Sequence, residues 1–271
     1  MYFDIAVRCR STFFSVIGGV YMTDSDKLLL AKTEDLVRLC DKYAAAVFSD
    51  FLDGGEIAAI RDGFYFPCGY NFMFFGGCDD CERKILGVFP EWSEADKEEF
   101  PIETLKIEGG YNRTLTHRDY LGTLMSLGID RRKTGDILVD GKCAYIFVYS
   151  DVAEYIRQNI TKIGNQGVKI TGFKTGDVVI PQRKFEKTET VCASARLDAV
   201  VGAAAHLSRQ EAARLINGGG VKLNFRELTD VSKTVKEGDM ISVKGSGRFI
   251  LSEVGNETRK GRIYIVLNKY I

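Results

Sequence analysis

In the stretch LSRQEAARLINGGGVKLN, Leu207 to Asn224, an arginine follows a serine at the point where a helix would begin. Ser208 and Glu211 have the spacing of a capping box, and Leu207 with Ala212 that of a hydrophobic staple. Arg209 then falls on the first helical turn, beside unpaired backbone amides and the positive end of the helix dipole. Amides, dipole and a guanidinium fork together suit a phosphate group. Ala212, Leu215 and Ile216 share the buried face, which leaves Arg209, Gln210 and Arg214 outside it. Glycines 218–220 allow a left-handed turn into a strand at Val221. Along that strand Lys222, Asn224 and Arg226 alternate and would face one side. Just upstream, Leu197, Val200, Val201 and Ala204 form one apolar stripe with Arg196 outside it. The candidate surface is therefore Arg196, Ser208, Arg209, Gln210, Arg214, Lys222, Asn224 and Arg226, extended by Lys244 and Arg248 on later strands.

The charge balance points the same way. The chain has 271 residues with 37 Lys+Arg and 37 Asp+Glu, so its formal net charge is zero. Residues 181–271 hold 16 Lys+Arg against 10 Asp+Glu, and residues 1–180 hold 21 against 27. A basic module joined to an acidic body implies a polyanionic partner, nucleic acid being the commonest. The acidic body also admits a second class, a scaffold for protein partners. A third class, an enzyme, finds little support. The sequence holds no GxxxxGK[ST], G-x-S-x-G or HExxH motif and two histidines, so catalytic residues and cofactors are expected to be none. Seven scattered cysteines form no disulfide framework and fit a reducing cytoplasm. Cys78-Asp-Asp-Cys81 reads as a polar hairpin turn with two thiols rather than a metal site. No run is long and apolar enough to span a bilayer.

Elements that would position these groups fall into three parts. Residues 1–23 read as an extension, because Met22 followed by TDSDKLLL makes a natural start. Residues 24–100 form an N-terminal α/β region. Its first helix is expected from Thr33 through TEDLVRLCDKYAAAVFSDFL, and a second in LDGGEIAAIRDG. Strands YNFMFFGG and ERKILGVF follow around the CDDC turn. Residues 101–175 run β-α-β-β-α-β, the order of the ferredoxin-like fold. There Thr116 and Asp119 cap one helix, Ser150 caps the next, and Asp140-Gly141 turns a hairpin. Tyr145, Phe147 and Tyr149 alternate on its third strand, on a face expected to be covered by the N-terminal region. His117 and Arg118 at a helix start, and the basic loop Arg131, Arg132 and Lys133, are candidate secondary RNA contacts. Residues 176–190 are expected to be a charged linker, and 191–271 the basic module. The fold class is thus α+β.

Two resemblances sharpen this reading. R-L-D at 196–198, S-R at 208–209, A-x-x-L-I-x-x-G-x-V from Ala212 to Val221 and E-G-D-x-I-S-V at 237–243 resemble the αL RNA-binding domain named after ribosomal protein S-four. Such domains commonly have glycine where Phe225 stands. LTHRDYLGTLMSLGIDRRKTGDILV, Leu115 to Val139, with ERKILGVFPEW, resembles the bacterial YlmH family. That resemblance implies an RNA-recognition-like central domain before a C-terminal S-four domain. It implies a non-enzymatic protein binding ribosomal RNA, and tRNA as peptidyl-tRNA, on the large ribosomal subunit in ribosome-associated quality control; the protein is expected to be a monomer. It also brings a link to cell division. S-four domains occur in pseudouridine synthases and aminoacyl-tRNA synthetases too, but the chain before residue 191 resembles neither.

Overall fold

The structure, a computed structural model, describes residues 23–109, 114–174, 181, 185–258 and 261–270. The extension expected over residues 1–23 and the start at Met22 lie outside them, apart from Thr23. The chain divides into two compact units, Met1–Gln182 and Arg183–Ile271.

In the first unit, helix α1 (Asp24–Tyr43) starts ten residues earlier than expected. Thr23 and Asp26 form a complete capping box: the Thr23 hydroxyl accepts the Asp26 N–H at 3.1 Å, and the Asp26 carboxylate accepts the Thr23 N–H at 3.0 Å. Thr33 is consequently mid-helix, where its hydroxyl donates to the Leu29 carbonyl at 3.0 Å. Two backbone amides satisfied at one helix start outcompete one isolated cap residue. The helix ends at Ala44 in the left-handed region, and Val47–Leu52, expected as its tail, is strand β1. Helix α2 (Gly54–Gly63) is boxed by Asp53 and Glu56. Strands β2 (Tyr70–Phe75) and β3 (Lys84–Pro90) complete an antiparallel sheet in the order β1-β3-β2.

Next come β4 (Ile102–Gly109), α3 (His117–Ser126), β5 (Thr134–Asp140), β6 (Cys143–Tyr149), α4 (Ser150–Asn159), β7 (Lys162–Ile163) and β8 (Gln166–Lys174). The sheet order is β5-β6-β4-β8-β7. Leaving aside the two-residue β7, this is the ferredoxin-like order that the β-α-β-β-α-β sequence implied. Ser150 is the first residue of α4 and not its cap, which is Tyr149. The Ser150 N–H instead donates to the Pro101 carbonyl at 2.9 Å.

Alternation along the sheet decides what each face meets. Leu105, Ile107, Ala144, Ile146 and Val148 pack beneath α3 and α4. Phe147 points the other way and is wholly buried among Phe51, Phe75, Ile85, Phe89 and Phe100. The N-terminal elements therefore cover the place where an RNA-recognition domain offers stacking aromatics. The Asp136 carboxylate fixes the two sheets together, accepting N–H groups from Glu82 at 2.6 Å and Arg83 at 3.2 Å. Cys78 and Cys81, expected as separate thiols, are joined in a disulfide in the β2–β3 turn with Cα atoms 5.3 Å apart.

That turn carries a stability prediction. Gly77 has φ +96°, and a Cβ there would lie 2.3 Å from Cδ1 of Phe147, whereas Gly128, with φ +77°, has open space around it. Gly77→Ala should destabilise the unit by about 3 kcal/mol, and Gly128→Ala by only about 1 kcal/mol, since the first combines backbone strain with overpacking and the second has strain alone. Chemical denaturation of the two variants checks the difference.

The second unit holds β9 (Phe185–Cys192), α5 (Leu197–Ala205), α6 (Arg209–Asn217), β10 (Val221–Leu223), β11 (Arg226–Glu227), β12 (Met240–Val243), β13 (Gly247–Glu257) and β14 (Ile263–Tyr270). The sheet order is β11-β10-β12-β13-β14-β9. Part of the expected charged linker is therefore strand β9, paired with β14 from Phe185↔Tyr270 to Cys192↔Ile263. Charges are tolerated on both faces of an edge strand, which is why FEKTETVC reads as a linker. Leu197, Val200, Val201, Ala212 and Ile216 of the helices pack on Val221, Leu223, Ile241, Val243, Phe249, Leu251, Ile265 and Leu267. No described helix is long and apolar enough to cross a membrane.

Candidate nucleic-acid interface

The start of α5 is fixed by its neighbours before any side chain acts. Leu197 N–H donates to the Lys233 carbonyl at 2.8 Å, and Asp198 N–H to that of Val231 at 3.1 Å. This holds Asp198 in the first helical turn with its side chain only 4% exposed. Arg196 donates to it through Nε, to Oδ1 at 3.2 Å, and through Nη2, to Oδ2 at 3.2 Å. Arg209, at the first position of α6, donates its Nε to Oδ2 at 2.9 Å. One buried carboxylate thus braces two arginines eleven and two residues away. Burial alone pushes the Asp198 carboxyl up, but the two guanidinium groups outweigh it and hold it below the usual carboxylate range. The same contact, chiefly its hydrogen bond, holds the Arg196 guanidinium above its ordinary value. Arg209 remains 63% exposed and Arg196 38%. Their unused guanidinium edges are pre-aimed donors for an anionic oxygen.

The capping box around Ser208 forms as the sequence implies. The Ser208 hydroxyl accepts the Glu211 N–H at 3.3 Å, and the Glu211 carboxylate accepts the Ser208 N–H at 2.8 Å. This has a consequence for the anion site: the box uses two of the amides counted on above and adds a carboxylate at the helix start. The site rests on guanidinium groups more than on the helix dipole. Gln210 and Arg214, both exposed, are one turn apart on α6 and share a face. Gly219 adopts the left-handed turn expected of the glycine run, at φ +70°.

Beyond the helix the expectation needs correcting. Lys222, Asn224 and Arg226 do not alternate on one strand, because β10 ends at Leu223. Asn224 and Phe225, at φ 49° and 68°, form a two-residue turn that sets Arg226 opposite Leu223 on β11. Phe225 takes the left-handed conformation that glycine usually supplies. The Asn224 amide is committed internally: its Nδ2 donates to Asp239 at 2.8 Å, and its Oδ1 accepts the Met240 N–H at 2.9 Å. It holds the turn and is not presented outward. Lys222 faces away from the helices, with its Nζ 3.6 Å from Glu227. Lys244 is exposed at the β12–β13 turn, and Arg248 is exposed on β13. The chosen residues therefore form two groups: Arg196, Arg209, Gln210 and Arg214 on the helices, Lys222 and Arg248 on the opposite face of the sheet.

The secondary candidates separate as well. Arg131 is largely internal, donating to the carbonyls of Thr134 and Gly135 and to the Thr134 hydroxyl. Burial, with the Arg83 charge beside it, pushes its guanidinium down to about 10. Lys133 lies between Asp50 at 3.2 Å and Asp151 at 3.3 Å, and 3.9 Å above the Tyr149 ring. Lys133 braces the N-terminal and central elements and Arg131 the turn into β5, so of the basic loop Arg132 is the exposed member. His117 and Arg118 are exposed at the start of α3, where Thr116 and Asp119 form their capping box.

Asp198 was missed by the sequence reading. Its one signal is the acid in R-L-D, and a carboxylate in a first helical turn ordinarily means no more than a favourable helix dipole.

Most of the chain is similar to known proteins. Residues 95–177 match a family described as an RNA-binding domain in YlmH, and residues 195–241 match the S4 domain. The chain is 31% identical over 226 residues, 83% of its length and 88% of the relative's, to ribosome-associated protein quality control protein P2 of Bacillus subtilis (strain 168). Cell division protein ylmH from Streptococcus pneumoniae is similar in structure at 20% identity and a TM-score of 0.45, over 57% of this chain and 96% of that one. With both RNA-binding domains in order and that degree of identity across most of a relative, the chain belongs to the YlmH family.

Proposed function

We propose that the protein is a non-catalytic, cytoplasmic RNA-binding protein that docks on structured RNA of the large ribosomal subunit, ribosomal RNA and peptidyl-tRNA, in ribosome-associated quality control. The observation that carries this reading is the Asp198-braced pair Arg196 and Arg209 within the S4 domain. A surface built only for solubility does not need a buried carboxylate to fix two arginines. The relative's name, a ribosome-associated quality control protein, supplies the setting. Docking uses Arg196, Arg209, Gln210 and Arg214, with Ser208 capping the helix that carries them. Lys222, Lys244 and Arg248 add cations from the sheet side, Arg226 adds one from the β11 edge on the face shared with Leu223, and His117, Arg118 and Arg132 make secondary contacts from the first unit.

Neutralising three or four phosphates releases as many counterions. Affinity for large subunits should then fall about 50- to 150-fold between 50 and 200 mM salt. Co-sedimentation of the full chain with purified subunits across that range is the test. Absence of co-sedimentation at the lowest salt, or an affinity indifferent to salt, refutes the reading.

A further inference from the structure

The sheet of the second unit carries, on the face away from its helices, a row of side chains of which the docking surface uses only Lys222 and Arg248. Lys222 pairs with Ser242, Ser242 with Arg248, and Tyr270 with Phe185. The Arg248 guanidinium carbon lies 5.3 Å from the centroid of the Tyr270 ring. The Tyr270 and Phe185 rings meet edge to face, with centroids 5.0 Å apart. Their strand neighbours Val221, Leu223, Ile241, Val243 and Phe249 point into the core, so the row belongs to the opposite face. Phe185 is 40% exposed, Arg248 is exposed and Tyr270 half-buried.

We propose that Arg248, Tyr270 and Phe185 form a stacking platform for an unpaired RNA base next to the structured element gripped by the helices. Two aromatic faces and a guanidinium plane are the groups on which splayed bases stack, and every base has a face to offer them. The surrounding charge selects nucleic acid over an acidic peptide or a second copy of the chain. Lys222 and Lys187 share this face with Arg248, and two of the carboxylates in reach are already engaged: Glu227 lies 3.6 Å from Lys222, and Glu189 2.8 Å from Lys187, while Glu253 lies toward Lys187 and Tyr264, away from Arg248. Phe185, Arg248 and Tyr270 lie outside the matched S4 segment, residues 195–241. The platform rests on the RNA-binding reading and adds to it a preference for a duplex flanked by single strand.

The test uses the full chain and two probes: a blunt RNA hairpin of about ten base pairs, and the same hairpin with an unpaired 3′ tail of about six nucleotides of mixed sequence. The tail should raise the affinity of the unaltered protein about tenfold, the worth of one stacked base. Tyr270→Ala should abolish that gain while leaving the blunt hairpin bound as before, and Tyr270→Phe should preserve it. Phe185→Ala, at the sheet edge, should reduce the gain without perturbing the core. Blunt binding with no gain from the tail, or a gain undiminished in both alanine variants, overturns the platform alone. Failure to bind either probe overturns the RNA-binding reading together with it.

Discussion

Arg209→Glu combined with Arg214→Glu should abolish co-sedimentation with large ribosomal subunits and lower the affinity for structured RNA at least about 100-fold. Each arginine contributes a charge-assisted contact worth roughly 1.5–3 kcal/mol, and replacing it with a carboxylate adds repulsion from the same phosphate. Two such losses amount to at least about 3 kcal/mol, or two orders of magnitude. The fold should survive, because both side chains are exposed and glutamate is nearly as good a helix former as arginine. A carboxylate at position 209 also suits the helix dipole, although it would face Asp198. Arg209→Gln with Arg214→Gln removes that complication, and it should lose affinity by a smaller factor with a modestly lowered melting temperature, because Asp198 keeps Arg196 as a partner. Unaltered sedimentation of the glutamate variant would remove the helix surface from the interface.

The parts of this interface that were legible in the sequence are those whose causes are local. Ser208, Glu211 and the glycines after Asn217 determine where α6 begins and ends, and they do so within a dozen residues of one another. The ferredoxin-like order was readable for the same reason: period-two and period-3.6 patterns separated by Thr116, Asp140-Gly141 and Ser150. The burial of Phe147 agrees with the expectation that the N-terminal region covers this face, on which Tyr145 and Tyr149 stay half-buried.

What stayed hidden depends on partners far away along the chain. Lys133 read as part of a solvated basic loop, because nothing near it announces Asp50 and Asp151, which close on it from β1 and α4. Strand β9 read as a linker, because only pairing with β14, about eighty residues on, makes its alternation meaningful. Thr33 drew the helix start to itself because the box at Thr23 lies beside a segment set aside as an extension. The turn at Asn224 was missed because Phe225 occupies a position where a side chain is seldom tolerated, and the amide bonds that stabilise it reach Asp239 and Met240.

Asp198 is the least legible residue of the site, and its replacement separates two explanations of RNA binding by sign. Asp198→Asn keeps the shape of the side chain and raises the net charge by one. If affinity followed charge alone, the variant would bind RNA more tightly. If the carboxylate serves to aim Arg196 and Arg209, it should bind structured RNA more weakly, by about 10- to 30-fold. Each released guanidinium side chain must then be ordered again on binding, at roughly 0.5–1.5 kcal/mol apiece. Some stability is lost as well, about 1–3 kcal/mol, since a buried amide cannot satisfy two arginines. The carboxyl is held below the usual range, so its contribution to folding is complete at neutral pH. That contribution disappears only as acid carries the pH below the ordinary carboxylate range, and the comparison belongs near pH 7. A second polyanion distinguishes lost aim from lost fold. Heparin, which responds to charge without fixed geometry, should bind the variant as well as or better than the unaltered protein while the RNA hairpin binds worse. Equal weakening toward both ligands would mean that Asp198 holds the domain together and aims nothing.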